Sequence, residues 1–79
     1  MDKDLHFALD GRMLNSREDI ISDIESVGYV VDSDVTAETD YLVQPNTPGN
    51  RITRKLRKAI QNKVEIITED KLYLLLRIK

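Results

Sequence analysis

The sequence predicts an α/β domain built on a largely parallel sheet with helices on both faces. Four short runs rich in apolar and β-branched residues alternate with three stretches of helical period, in the order β-α-β-β-α-β-α. Strands separated by helices pair in parallel, because a parallel connection needs a crossover that a helix supplies. Length sets the scale, since 79 residues form one domain, 1–79, which buries only about 60% of the surface its unfolded chain exposes.

Leu5 to Leu9 is an apolar run closed by the turn pair Asp10-Gly11, which marks the first strand. Ser16 stands three residues before Asp19 in a variant of the capping box. Ile20, Ile21, Ile24 and Val27 then recur at helical spacing up to a stop at Gly28. Tyr29-Val30-Val31 and Tyr41-Leu42-Val43 are the next two strands, separated by the polar stretch Asp32 to Asp40. Both prolines fall in the loop from Gln44 to Asn50. Beyond it Ile52, Leu56, Ala59 and Ile60 at i, i+4, i+7 and i+8 predict the inner stripe of a second helix. Val64 to Ile67 is the fourth strand. Thr68 caps the last helix, Glu69 and Asp70 suit its positive first turn, and Ile67 and Leu72 form a hydrophobic staple. Leu72, Leu75 and Leu76 make its inner stripe.

Composition narrows the function classes. Hydrophobic residues at 41% and charged residues at 33% describe a globular chain, and without cysteine neither a disulfide framework nor a thiolate zinc site supports the small core. Met1-Asp2-Lys3-Asp4 lacks the apolar run of a signal peptide, and no stretch approaches the roughly 20 apolar residues that span a bilayer. An intracellular, cytoplasmic protein that does not engage membranes is expected, nucleoid-associated if it works on DNA. Net charge is −2, but its signs are segregated. From Tyr41 to Val64 there is no acid, while Arg51, Arg54, Lys55, Arg57, Lys58 and Lys63 give +6.

No glycine-rich phosphate cradle, nucleophile elbow or metal-ligand spacing is present. Asp32, Asp34, Glu38 and Asp40 lack the central glycine and the ligand spacing of an EF-hand and read as a solvated connector. His6, the single histidine, lies inside a strand and is expected to be structural. The expectation is a noncatalytic domain without metal or cofactor, too short to enclose a catalytic pocket.

Five segments lie in register with a known pattern: Gly11 after the first strand, Val27-Gly28-Tyr29-Val30, Thr39-Asp40-Tyr41-Leu42-Val43, Lys55-Leu56-Arg57-Lys58-Ala59, and Val64-Glu65-Ile66-Ile67-Thr68-Glu69. Together they resemble the BRCT domain, a module of DNA repair, replication and checkpoint proteins that also occurs in bacterial NAD-dependent DNA ligases. The resemblance implies a four-stranded parallel sheet in the order 2-1-3-4, with the first and third helices on one face and the second on the other. Val27 departs from the family's paired glycines. Leu72 replaces a tryptophan common in the last helix, as in the ligase-like branch.

Some relatives hold a phosphate with a Ser or Thr before the glycine, the next backbone N–H, and a lysine at the start of the second helix. Carried over, these positions are Asp10, Gly11 and Lys55. A carboxylate at Asp10 repels the ligand, since two like charges 4 Å apart interact by about 4 kcal/mol at an effective dielectric near 20. The pocket is therefore expected to be degenerate, with a structural role for both residues and phosphopeptides not expected as partners; an internal ion pair between Asp10 and Lys55 is one alternative.

For nucleic acid, Arg51, Arg54, Lys55 and Lys58 at i, i+3, i+4 and i+7 place four cations on one outward helix face, where phosphate backbone contacts need only such a stripe. No aromatic residue interleaves it, so stacking on single strands has no support. For protein contact, Tyr29, Tyr73 and Leu74 are the candidate interface residues, and homodimerisation is an alternative use of them. The expected function is a noncatalytic interaction module in DNA replication or repair, binding a protein partner as part of, or beside, an enzyme such as a DNA ligase. Sequence-independent binding of duplex DNA through the basic helix, including at DNA ends, is the alternative.

Overall fold

The computed structural model describes residues 4–47, 49 and 52–77. Its elements follow the anticipated order: β1 (His6–Leu9), α1 (Arg17–Ser26), β2 (Val30–Asp32), β3 (Tyr41–Gln44), α2 (Arg54–Gln61), β4 (Glu65–Thr68) and α3 (Glu69–Arg77). The strands form one parallel sheet in the order β2-β1-β3-β4. Phe7 lies between Val31 and Tyr41 in register, and Leu42 is aligned with Ile66.

Local signals place the helix ends. Ser16 Oγ accepts from the Asp19 N–H at 3.1 Å and starts α1. Gly28, at φ +90°, takes the left-handed turn that ends it. Thr53 Oγ1 accepts from the Leu56 N–H and caps α2. Thr68 Oγ1 accepts from the Lys71 N–H, and Asn46 Oδ1 from that of Asp70, so α3 starts directly from β4 with its first donors satisfied.

Alternation along each strand divides the core into two layers. One face buries Phe7, Leu9, Ile20, Ile24, Val43, Ile67 and Leu72 between the sheet and helices α1 and α3. The staple pair Ile67 and Leu72 belongs to this layer. Phe7 packs at its centre, its ring stacked on Tyr41 with centroids 5.3 Å apart and tilted against Tyr29 at 5.7 Å. The other face buries Ala8, Val35, Leu42, Ala59 and Val64, with Leu56 of α2 half-buried over them.

The inner stripe of α2 is narrower than its periodicity suggests. The helix begins at Arg54, so Ile52 lies outside it and is exposed, and Ile60 is 61% exposed. Ala59 makes the closest approach, and a residue one position along a helix is turned by about 100°, which rotates Ile60 out of the contact.

The first strand's exit needs a glycine. Gly11 has φ +80°, and a Cβ there would stand 2.9 Å from Pro45 Cγ, so a larger residue would be strained and would collide with the β3 exit.

Candidate functional site

The chain leaves β1 toward α1 on one face and leaves β3 toward α2 on the other. A crevice opens at such a switch point, beyond the carboxyl ends of the strands. This is where the structure brings Asp10, Gly11 and Lys55 together. The Asp10 N–H donates to the Val43 carbonyl at 2.9 Å and ties the β1 and β3 exits to each other. Its Oδ2 accepts from Thr53 Oγ1 at 2.6 Å, so the residue that caps α2 also holds the carboxylate.

Asp10 and Lys55 do not form the alternative ion pair. Lys55 Nζ donates instead to the Leu9 carbonyl at 2.7 Å at the end of the strand, while the hydroxyl of Thr53 engages Asp10. The ammonium keeps two further donors. It lines a shallow depression of about 310 Å³ with Arg17, Ile21, Asp32 and Ser33.

The four cations of the basic stripe are placed differently from one another. Lys55 turns inward to the Leu9 carbonyl, while Lys58 stays part-exposed with its Nζ paired to Asp34 Oδ2 at 2.6 Å. The reason is that α2 approaches the sheet through Ala59, and the lysines one and four positions before it fall beside that contact. Arg54 and Arg57 are exposed. Arg51 lies outside the described residues. The hydrogen bond from Lys58, followed by one from the Val35 N–H, holds the Asp34 carboxyl below its ordinary range.

Other carboxylates of the β2–β3 connection are used internally. Asp32 Oδ2 accepts from Thr39 Oγ1 at 2.9 Å and its Oδ1 meets His6 Nδ1 at 3.0 Å, while Asp40 Oδ2 accepts from the His6 N–H. His6 thereby has a structural place, stitching the interior strand β1 to this connection. Among the described residues, no group of three or more His, Cys, Asp or Glu side chains is positioned to hold a metal ion.

Of the three interface candidates, Leu74 is 54% exposed. Tyr29 is half-buried against Phe7. The Tyr73 hydroxyl donates to Glu69 Oε2 at 2.5 Å and accepts from Asn15 Nδ2 at 2.6 Å. Burial, aided by the bond to Glu69, pushes its phenol up to about 12.

Glu69 itself escaped sequence reasoning beyond its favourable place in the first turn of α3. It is wholly buried, and its carboxylate accepts from the Leu14 N–H at 2.8 Å, the Asn15 N–H at 3.2 Å and Tyr73. Burial opposes its charge, but the bonds from Tyr73, Leu14 and Asn15 outweigh it and leave the carboxyl below its usual range. The clip fixes the β1–α1 loop, the segment beside the switch-point crevice, and Leu14 stands at its tip 83% exposed. An acid directly after an apolar strand was the available signal, but its partners lie more than fifty residues earlier.

Residues 3–76 match the family model described as the BRCA1 C Terminus (BRCT) domain. This chain belongs to the BRCT family. It is 32% identical over 73 residues to a DNA ligase of Mycoplasmopsis synoviae (strain 53), covering 92% of this chain and 10% of that ligase. It also resembles the solved structure of Rad4 BRCT1,2 in complex with a Crb2 phosphopeptide. The TM-score is 0.76 at 18% identity, over 92% of this chain and 38% of that one. At that identity the likeness speaks for the fold alone, and the phosphopeptide belongs to the other protein. The chain thus spans a small part of each relative. BRCT domains are generally interaction modules in DNA repair and ligase contexts, typically noncatalytic, and they bind proteins. No helix among the described residues is long and apolar enough to cross a membrane.

Proposed function

We propose that this BRCT domain is a noncatalytic docking module for a protein partner of the DNA replication or repair machinery, inside the cell, within or beside a DNA-processing enzyme such as a ligase. The observation that carries the choice of partner is that both lysines are already engaged, Lys55 with the Leu9 carbonyl and Lys58 in a part-exposed ion pair with Asp34. A backbone-tracking stripe needs cations free to displace counterions. Apolar side chains at Ile52, Ile60 and Leu74 instead remain at the surface, where a protein partner can cover them.

Asp10 supports the further expectation that phosphate is not the ligand. Its carboxylate occupies the position where relatives place a hydroxyl, and it is held there by Thr53. The second reading, sequence-independent contact with duplex DNA, is favoured by one observation, the exposed pair Arg54 and Arg57 in a segment without acids.

Fluorescence anisotropy with duplexes bearing or lacking a 5′ phosphate, at two salt concentrations, tests both. Binding weaker than the nonspecific range of about 10⁻⁴ to 10⁻⁶ M at physiological salt, with no preference for the phosphorylated end, is the expected result. Tight, steeply salt-dependent binding that Arg54→Glu and Arg57→Glu abolish overturns the protein reading in favour of DNA. A strong 5′-phosphate preference overturns the assignment of Asp10.

A further inference from the structure

We infer that the strip between α2 and β4 is a docking surface for an acidic protein segment carrying apolar side chains. The inference rests on the protein-binding reading above and names where and with what chemistry that binding occurs. Its basis is the way α2 sits on the sheet. With Ala59 pointing into the core, Lys55 and Lys58 lie about 40° and 100° to one side of the helix, and Leu56 and Ile60 about 60° and 100° to the other. The lysines reach Leu9 of β1 and Asp34 beyond β2, so their flank faces that half of the sheet. The flank with Leu56 and Ile60 faces β4.

On that side the sheet is uncovered. α2 packs chiefly on β3, and β4 is the edge strand. Ile66 shares register with Leu42, which is buried beneath α2, so both side chains point to the same face one strand spacing apart, about 4.8 Å. Leu42 is wholly buried, whereas Ile66 is 38% exposed because no helix reaches over it. Half-buried Leu56, exposed Ile60 and Ile66 therefore border one open apolar strip.

Charge selects the occupant. The strip is rimmed by two exposed cations, Arg57 and Lys63, three positions to either side of Ile60, in a stretch of sequence without acids. Glu65, next to Ile66, points to the opposite face by strand alternation. An acidic segment with apolar anchors satisfies the isoleucines and the arginine rim together. A basic one is repelled, and nucleic acid leaves the isoleucines without partners.

The test uses the isotope-labelled chain and a synthetic nine-residue peptide alternating Glu or Asp with Ile, Leu or Val. Amide resonances of Leu56, Ile60 and Ile66 are expected to shift on titration. Affinity is expected to fall about tenfold in the Ile60→Ser/Ile66→Thr variant and severalfold in Arg57→Glu, and to weaken with salt. Arg57→Glu leaves the isoleucines intact and guards against a folding defect in the first variant. No shift at millimolar peptide, equal binding of a lysine-for-acid analogue, or binding indifferent to all three substitutions overturns the inference. So does concentration-dependent shifting of Ile60 and Ile66 without peptide, which marks self-association. Peptide binding that persists in these variants removes only the location. Tight duplex binding with Ile60 and Ile66 silent removes the protein reading itself.

Discussion

On the face shared by α1 and α3 the sheet buries Phe7, Leu9, Ile20, Ile24, Val43, Ile67 and Leu72, nearly all large, whereas under α2 it buries Ala8, Val35, Leu42, Ala59 and Val64. The first layer is dense and carries most of the hydrophobic stabilisation. The second is thin, uses alanines where helix and sheet meet, and is supplemented by polar ties: Thr53 to Asp10, Lys55 to Leu9 and Lys58 to Asp34. Apolar side chains stay outside on both sides, Ile60 and Ile66 beside the thin layer and Leu74 on α3, but only the thin layer leaves part of the sheet itself uncovered, at Ile66. On the proposed reading, stability and recognition fall on opposite faces of one small sheet.

The largest test of that division is a pair of truncations. Leu72→Ala removes a wholly buried side chain from the dense layer and is expected to cost about 3 to 4 kcal/mol. For a domain whose total stability is about 5 to 15 kcal/mol, that brings the chain close to unfolding. Leu56→Ala on the thin layer removes a half-buried side chain and is expected to cost about 1 to 2 kcal/mol. Urea unfolding of both variants measures the gap, and equal losses would mean that the two faces share the load.

Next in size is the carboxylate clip of Glu69. Glu69→Gln keeps the shape but exchanges a charged acceptor of three hydrogen bonds for a neutral amide, an expected loss of about 2 kcal/mol near neutral pH. The folded carboxyl titrates below its unfolded value, so its contribution is present above the unfolded pKa and is lost as pH falls through the folded one. The difference between wild type and variant should therefore shrink as the pH drops below about 4.5, near the value for an unperturbed glutamate. A constant difference across that window would show that the charge is not what holds the loop. Spectrophotometric titration supplies a companion reading, because Tyr73, raised to about 12 in the wild type, should ionise at lower pH once the negative charge of Glu69 beside it is gone.

What could be read in advance follows the range of the interaction. Ser16, Gly28 and Thr68 announce helix ends through groups three or fewer residues away, and the elements they bound fall within a residue or two of expectation. The sheet order and the split of the helices between faces came with the family resemblance and are what the structure shows. Side-chain partners chosen across the fold were not legible. An ion pair between Lys55 and Asp10 was one alternative because both belong to a phosphate pocket in relatives, yet Lys55 bonds the Leu9 carbonyl and Asp10 accepts from Thr53. Periodicity could not separate Ala59, at the contact, from Ile60, beside it, because a four-position stripe is wider than a short helix needs to cover an edge of the sheet. Glu69 was placed on the correct helix turn, but its loop partners are set by tertiary packing.

The smallest effect concerns the joint between α2 and β4, which borders the proposed docking strip. Lys63 is exposed and holds φ +57°, the left-handed conformation that costs a residue with a Cβ about 1 to 2 kcal/mol. The turn is required, since Lys63 and Val64 return their N–H groups to the Ile60 and Ala59 carbonyls and swing the chain from helix into strand. Glycine relieves the strain but has more freedom to lose on folding, so Lys63→Gly is expected to gain about 0.5 kcal/mol in urea unfolding. Where the gain appears is the more telling measurement. If amide exchange slows only in α2 and β4, the thin layer opens by itself, as a surface that receives a partner can afford to do. Uniform slowing across β1 and α1 as well would show that the two faces unfold as one unit, and that the division drawn between them is one of packing alone.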